Sequence, residues 1–151
     1  TTYTRIRRQA MPDRPVFLDT SGWIALLNSA DALHATASSI WSDLLRRSSS
    51  MIFLTDWIVA ETGNGLARTK ARERFPRAVS LLRESPPSRL VPVSASLFQA
   101  ALDLYASRAD KTWGLVDCAS FLVMQEHGIV EAVTNDGHFE QAGFKCLLPS
   151  T

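Results

Sequence analysis

The chain has 151 residues, 46% of them hydrophobic, the size of one domain that can bury a single substantial core without disulfide staples. Sixteen Lys and Arg against fifteen Asp and Glu leave a net charge of +1, so global charge announces no nucleic-acid partner and any electrostatic argument must be local. No apolar stretch approaches the roughly 20 residues of a membrane span, and Cys118 and Cys146 lack C-x-x-C spacing; a soluble protein with free thiols in a reducing, cytoplasmic setting is expected.

Residues 1–10 are polar, basic and without apolar periodicity, and read as a flexible arm that need not belong to the native protein, ahead of one domain over residues 11–151. Val16, Phe17 and Leu18, entered through Pro15, suit a short buried strand. Asp19, Thr20 and Ser21 are capping residues, after which Trp23, Ile24, Leu26 and Leu27 continue at helical spacing. A second amphipathic helix is expected over 34–47, with Ile40, Trp41, Leu44 and Leu45 on its apolar face. After a serine-rich turn, 51–54 reads as a second strand, and Thr55 can cap a helix running through Glu61 towards Arg68. A further helix follows Pro76 and stops at Pro86 and Pro87.

Residues 90–93 form the third strand candidate, where Pro92 points to a strand end or an edge. Helices are expected over 95–107 and 114–127, the latter stopped by Gly128 at its C′ position. Two short strands, 132–134 and 144–148, complete the pattern. Short apolar strands alternating with helices imply an α/β fold: a three-layer α/β/α sandwich on a mainly parallel sheet of four to five strands.

Ligands of parallel sheets collect at the carboxyl ends of the strands, so acids just after strands or in first helical turns carry the most information. Asp19 follows the first strand, Asp136 follows the fourth, Asp117 lies in a first helical turn, and Glu61 is within two turns of a helix cap. Alone, each has an ordinary reading: Asp19 a cap, Asp117 a helix-dipole acid, Asp136 a turn residue in Asn-Asp-Gly, Glu61 a solvated position. Together in one crevice, four carboxylates would raise one another's pKa values unless a cation sat between them. A hard divalent ion such as Mg²⁺ or Mn²⁺ resolves the conflict, and its natural chemistry is phosphoryl transfer.

Four stretches, 16–21, 54–61, 113–120 and 132–139, resemble in order and spacing the motifs of the PIN-domain nucleases, and among them the VapC-type toxins of toxin–antitoxin pairs. The resemblance spans residues 16–148. It implies that Asp19, Glu61, Asp117 and Asp136 bind one or two Mg²⁺ or Mn²⁺ ions, with Thr20 or Ser21 and Thr134 or Asn135 as polar support. It implies cleavage of RNA to a 5′-phosphate and a 3′-hydroxyl, a homodimer, and an antitoxin that offers an arginine or lysine to the carboxylates. Where relatives often carry a serine ahead of the third acid, this chain has Gly114.

Other features carry less. Arg68, Lys70, Arg72, Arg74 and Arg77 face one acid, Glu73, and read as a solvated face or a phosphate-binding stretch. The four tryptophans are mostly core, with base stacking best suited to Trp113. His138 reads as an ordinary loop histidine, with a supporting or general-acid role as the alternative. A phosphatase of the aspartyl-phosphate type would want an acid where Ser21 stands. Gly63 and Gly65 begin a dinucleotide fingerprint, but inside a helix and with Arg68 in the third position. A degenerate PIN domain acting as an RNA- or protein-binding module is the non-enzymatic alternative.

Overall fold

The computed structural model of the chain describes residues 14–47, 50–84 and 88–150. The arm expected over residues 1–10 and the prolines expected to stop a helix, Pro86 and Pro87, lie outside them. Five strands, β1 (Val16–Leu18), β2 (Ile52–Thr55), β3 (Ser88–Val91), β4 (Glu131–Val133) and β5 (Lys145–Cys146), form one sheet in the order β3-β2-β1-β4-β5. Every pairing is parallel. The helices are α1 (Thr20–Leu27), α2 (His34–Arg46), α3 (Asp56–Leu66), α4 (Phe75–Glu84), α5 (Ala95–Ser107), α6 (Leu115–Glu126) and α7 (Gly137–Gln141), with a 3₁₀ turn at Lys70–Arg74.

Side-chain alternation separates two core layers. Phe17 and Phe53 are register partners, and their rings meet Phe139 and His127, on the side covered by α6 with α5 packed against it. The flanking Ile52 and Leu54 point the other way, against Trp23 of α1 and Leu82 of α4. Both faces of β1, β2 and β4 are buried, which is why those segments are almost purely apolar.

The chain winds outward from β1 through β2 to β3, then returns to place β4 on the other side of β1. The point where the order reverses therefore lies between the carboxyl ends of β1 and β4, the position at which such sheets open a crevice. The helix α1 is pressed onto that point. A Cβ added at Gly22 would lie 2.0 Å from the carbonyl oxygen of Val133, so only a glycine lets α1 sit on the end of β4.

Several boundaries differ from the sequence reading. The third strand starts at Ser88 and stops before Pro92, which has no N–H to donate; the next N–H, of Val93, goes to Asp56 Oδ1 at 2.9 Å. The strand expected over 144–148 pairs over two residues only, although Leu147 N–H still bonds the Ala132 carbonyl at 2.9 Å. The sequence reading passed over the 3₁₀ turn at Lys70–Arg74 and the five-residue helix α7, both too short to show periodicity. Gly63 and Gly65 belong to helix packing: an added Cβ would meet the Phe75 ring at 2.9 Å and Ile24 Cδ1 at 2.6 Å, respectively.

Candidate active site

Asp19 leaves β1 as the N-cap residue of α1, yet its side chain makes no cap bond. Its Oδ2 instead accepts from Thr134 Oγ1 at 2.7 Å, beside the Ser21 hydroxyl at 3.2 Å. Ser21 in turn accepts the Asn135 backbone N–H at 3.1 Å, and Thr134 accepts the Asp136 N–H at 3.0 Å. Two strand ends are thus stitched across the crevice, with Thr134 fully buried and Asp19 only 5% exposed. Of the expected supporting residues, Ser21 and Thr134 act through their hydroxyls, whereas Asn135 enters this circuit through its backbone.

Burial raises the Asp19 carboxyl from 3.8 to about 6, against the opposing pull of the Thr134 hydroxyl and the Thr20 N–H, with the charges of Asp117 and Asp136 adding to the rise. Asp117 is also raised, chiefly by burial and then by Asp136, although the Gly114 N–H and His138 act in the other direction. The ordinary reading of Asp19 as a cap is therefore set aside by its side-chain partners. Asp136 does cap α7, its Oδ1 accepting the His138 N–H at 2.9 Å, while its charge still reaches the other two acids.

Asp117, Asp136 and His138 each place one ligand-type atom within 4.8 Å of the others. The His138 ring explains the approach. Its Nδ1 stands 3.1 Å from Asp117 Oδ2 and 3.4 Å from Asp136 Oδ1, and its Nε2 stands 3.1 Å from the Thr112 hydroxyl. With the proton on Nδ1 the ring donates to the carboxylates and accepts from Thr112. Asp117 Oδ2 also accepts the Gly114 N–H at 3.0 Å. Where a serine side chain was expected from the resemblance, a backbone amide and an imidazole hold the acid. His138 is thus bound into the acidic cluster, contrary to its reading as an ordinary loop residue; only the spacing from Asp136 hinted at it.

Glu61 stands apart. It is exposed on α3 and its Oε1 accepts from the Thr20 hydroxyl, which tethers it to the start of α1, at the rim of the crevice. Trp113 is buried beneath the Arg108 guanidinium and against Phe121, so it offers no face to a base.

One buried and two partly buried carboxylates, of which Asp19 and Asp117 are raised in pKa chiefly by burial, with a histidine as the one basic partner among the described residues, form an oxygen-rich donor set that fits a hard divalent cation. A cation of that kind would offset the repulsion among them.

Comparison with known proteins gives the family. The PIN domain profile matches residues 16–145. A curated relative, the 23S rRNA-specific endonuclease VapC20 of Mycobacterium tuberculosis, is 33% identical over 134 residues, covering 89% of this chain and 98% of the relative. The crystal structure of Mycobacterium tuberculosis VapC20, described as a sarcin-ricin loop cleaving toxin, superposes with a TM-score of 0.77 at 31% identity, over 89% of this chain and 99% of that one. FitAcB from Neisseria gonorrhoeae shares the fold at a TM-score of 0.58 and 19% identity, over 87% of this chain and 95% of that one. The chain is a member of the PIN-domain family, of the VapC type.

Proposed function

We propose that this protein is a metal-dependent ribonuclease that hydrolyses phosphodiester bonds of structured RNA, and that it serves as the toxin of a toxin–antitoxin pair in the cytoplasm. The observation that carries the reading is the buried Asp19 beside Asp117 and Asp136 at the β1–β4 reversal, an acid set that fits a divalent ion. Ribosomal RNA is the substrate class, by analogy with the 23S rRNA specificity of VapC20.

In this reading Asp19, Asp117 and Asp136 hold one or two Mg²⁺ or Mn²⁺ ions, with Glu61 contributing from the rim. When bound, such an ion lowers the pKa of water and offsets charge on the reacting phosphate. The chain's own groups do the positioning. Thr134 and Ser21 fix the Asp19 carboxylate, Thr20 restrains Glu61, and Gly114 with His138 orients Asp117. The products are a 5′-phosphate and a 3′-hydroxyl.

An antitoxin segment fits the apolar groove of about 530 Å³ between α1, α2 and α4, where Trp23, Leu26, Trp41 and Leu82 line the floor and Leu45 and Leu81 remain exposed. A homodimer forms through α5, whose Phe98 and Tyr105 are exposed seven residues apart, on one helical face.

The test is RNA cleavage by purified protein. Activity should appear with Mg²⁺ or Mn²⁺, vanish in EDTA, and fall by orders of magnitude in Asp19→Asn and Asp117→Asn without loss of fold. Metal-independent cleavage leaving a 2′,3′-cyclic phosphate, or full activity in both variants, would overturn the reading.

A further inference from the structure

An acidic crevice repels the polyanion it is meant to cut, and a net charge of +1 supplies no general attraction. Affinity for RNA must then come from a local concentration of cations beside the site. The segment that follows α3, the helix carrying Glu61, holds Arg68, Lys70, Arg72, Arg74 and Arg77 against Glu73 alone. All five cations are exposed, and among the described residues none of them forms an ion pair with a carboxylate.

This segment is also fixed in place. Thr69 caps its 3₁₀ turn by accepting the Ala71 N–H at 3.2 Å, and its hydroxyl donates to the Leu66 carbonyl at 2.8 Å. Ala71 is fully buried, and Arg72 is tied to the Ala67 carbonyl at 3.1 Å. Phe75, between Arg74 and Arg77, packs on Trp23 at 5.3 Å and fills the space left by Gly63, two residues beyond Glu61. The anchor therefore touches both helices that border the crevice, α1 and α3. Cations displayed on an ordered turn lose less freedom on binding than cations on a loose loop. Four of the five are arginines, whose forked donors match phosphate oxygens.

We propose that Arg68–Arg77 is the phosphate-binding surface that holds the RNA backbone against the acidic crevice, with Lys70, Arg74 and Arg77 as its principal contacts. The inference rests on the ribonuclease reading above and names the surface that reading requires. It supplies attraction without sequence information, since phosphate contacts fix register and base contacts specify.

The test is the binding of a fluorescein-labelled stem–loop RNA to the full chain in EDTA, titrated across salt concentrations, with cleavage kinetics measured separately in Mg²⁺. Wild type is compared with a Lys70→Gln, Arg74→Gln, Arg77→Gln triple variant, and with an Arg46→Gln, Arg89→Gln control at exposed cations on α2 and the edge strand β3, outside the basic segment. Removing three phosphate contacts should weaken binding about tenfold or more at low salt and reduce the slope of log K against log salt by about two. In cleavage the triple variant should raise KM with kcat nearly unchanged, and the control should match wild type. An unchanged slope and affinity in the triple variant would overturn the surface while leaving the nuclease intact. So would an unchanged RNA slope with loss of binding to an acidic protein partner, which would assign the patch to that partner. A wild type that neither binds nor cuts RNA would remove the ribonuclease reading itself, and the surface with it.

Discussion

Asp19 makes the pH behaviour of the metal-free protein predictable. Its carboxyl titrates near 3.8 when unfolded and at about 6 when folded, so between those values the folded state holds more protons. Stability conferred by the protonated form is full below the lower value and is lost as pH rises through the upper one, a penalty of about 3 kcal/mol. In EDTA, wild type should therefore be less stable at about pH 7.5 than at about pH 5, and Asp19→Asn should flatten the difference and be the more stable at the higher pH. Thermal melts at the two pH values check both, and a wild-type curve no steeper than that of the variant would contradict the burial argument. At His138, replacement by alanine removes the imidazole that faces Asp117 and Asp136. Metal affinity measured by calorimetry should fall about tenfold to a hundredfold, with partial recovery in His138→Gln, which restores an N–H donor. Asp19, Asp117 and Asp136 were readable from sequence because each follows a strand or opens a helix. The tie from His138 to Asp117 was not, because it joins residues on different elements across the crevice.

Among the elements, the glycines separate two kinds of close packing. Gly22 faces the backbone of β4, which cannot retreat without breaking the sheet, whereas Gly65 faces the tip of Ile24, which can rotate. Gly22→Ala should cost about 3 kcal/mol or more and disturb the Ser21–Thr134 stitch, while Gly65→Ala should stay within about 1 kcal/mol because alanine favours the helix. Chemical denaturation of both variants tests the contrast. Helices and buried strands were legible through apolar spacing, and Pro92 correctly marked an edge strand. The 3₁₀ turn was not, since its anchors Ala71 and Phe75 look unremarkable within a run of charges and declare themselves only by burial.

For the whole molecule, four of the six exposed large apolar side chains among the described residues divide between the groove beside α2 and α4 (Leu45, Leu81) and the outer face of α5 (Phe98, Tyr105), while Met51 and Val130 stand ahead of β2 and β4. Phe98→Arg should convert the proposed dimer to monomer in light scattering without lowering the melting temperature by more than a few degrees. Leu45→Glu should leave the proposed dimer intact and weaken capture of the proposed antitoxin. A wild type that is monomeric at micromolar concentration would remove the dimer. The sheet order was beyond the sequence, because nothing in β4 states that it pairs with β1 rather than with β3. Short strands with little to tell them apart allow several orders, and the clearance at Gly22 is what lets α1 sit on the end of β4 once it lies beside β1.

The same pairing sets when the acid cluster can form during synthesis of the chain. The bond from Thr134 to Asp19 spans 115 residues of chain, and β1 waits for β4 while β2, with β3 beyond it, can already be paired on its other side. A nascent chain emerging N-terminus first would carry Asp19 and Glu61 on a partial sheet, with Asp117 and Asp136 still to arrive. Assembly of the acid cluster thus waits for β4 and the helix after it, and a ribosome translating this message would release an assembled cluster only once Asp136 had been made.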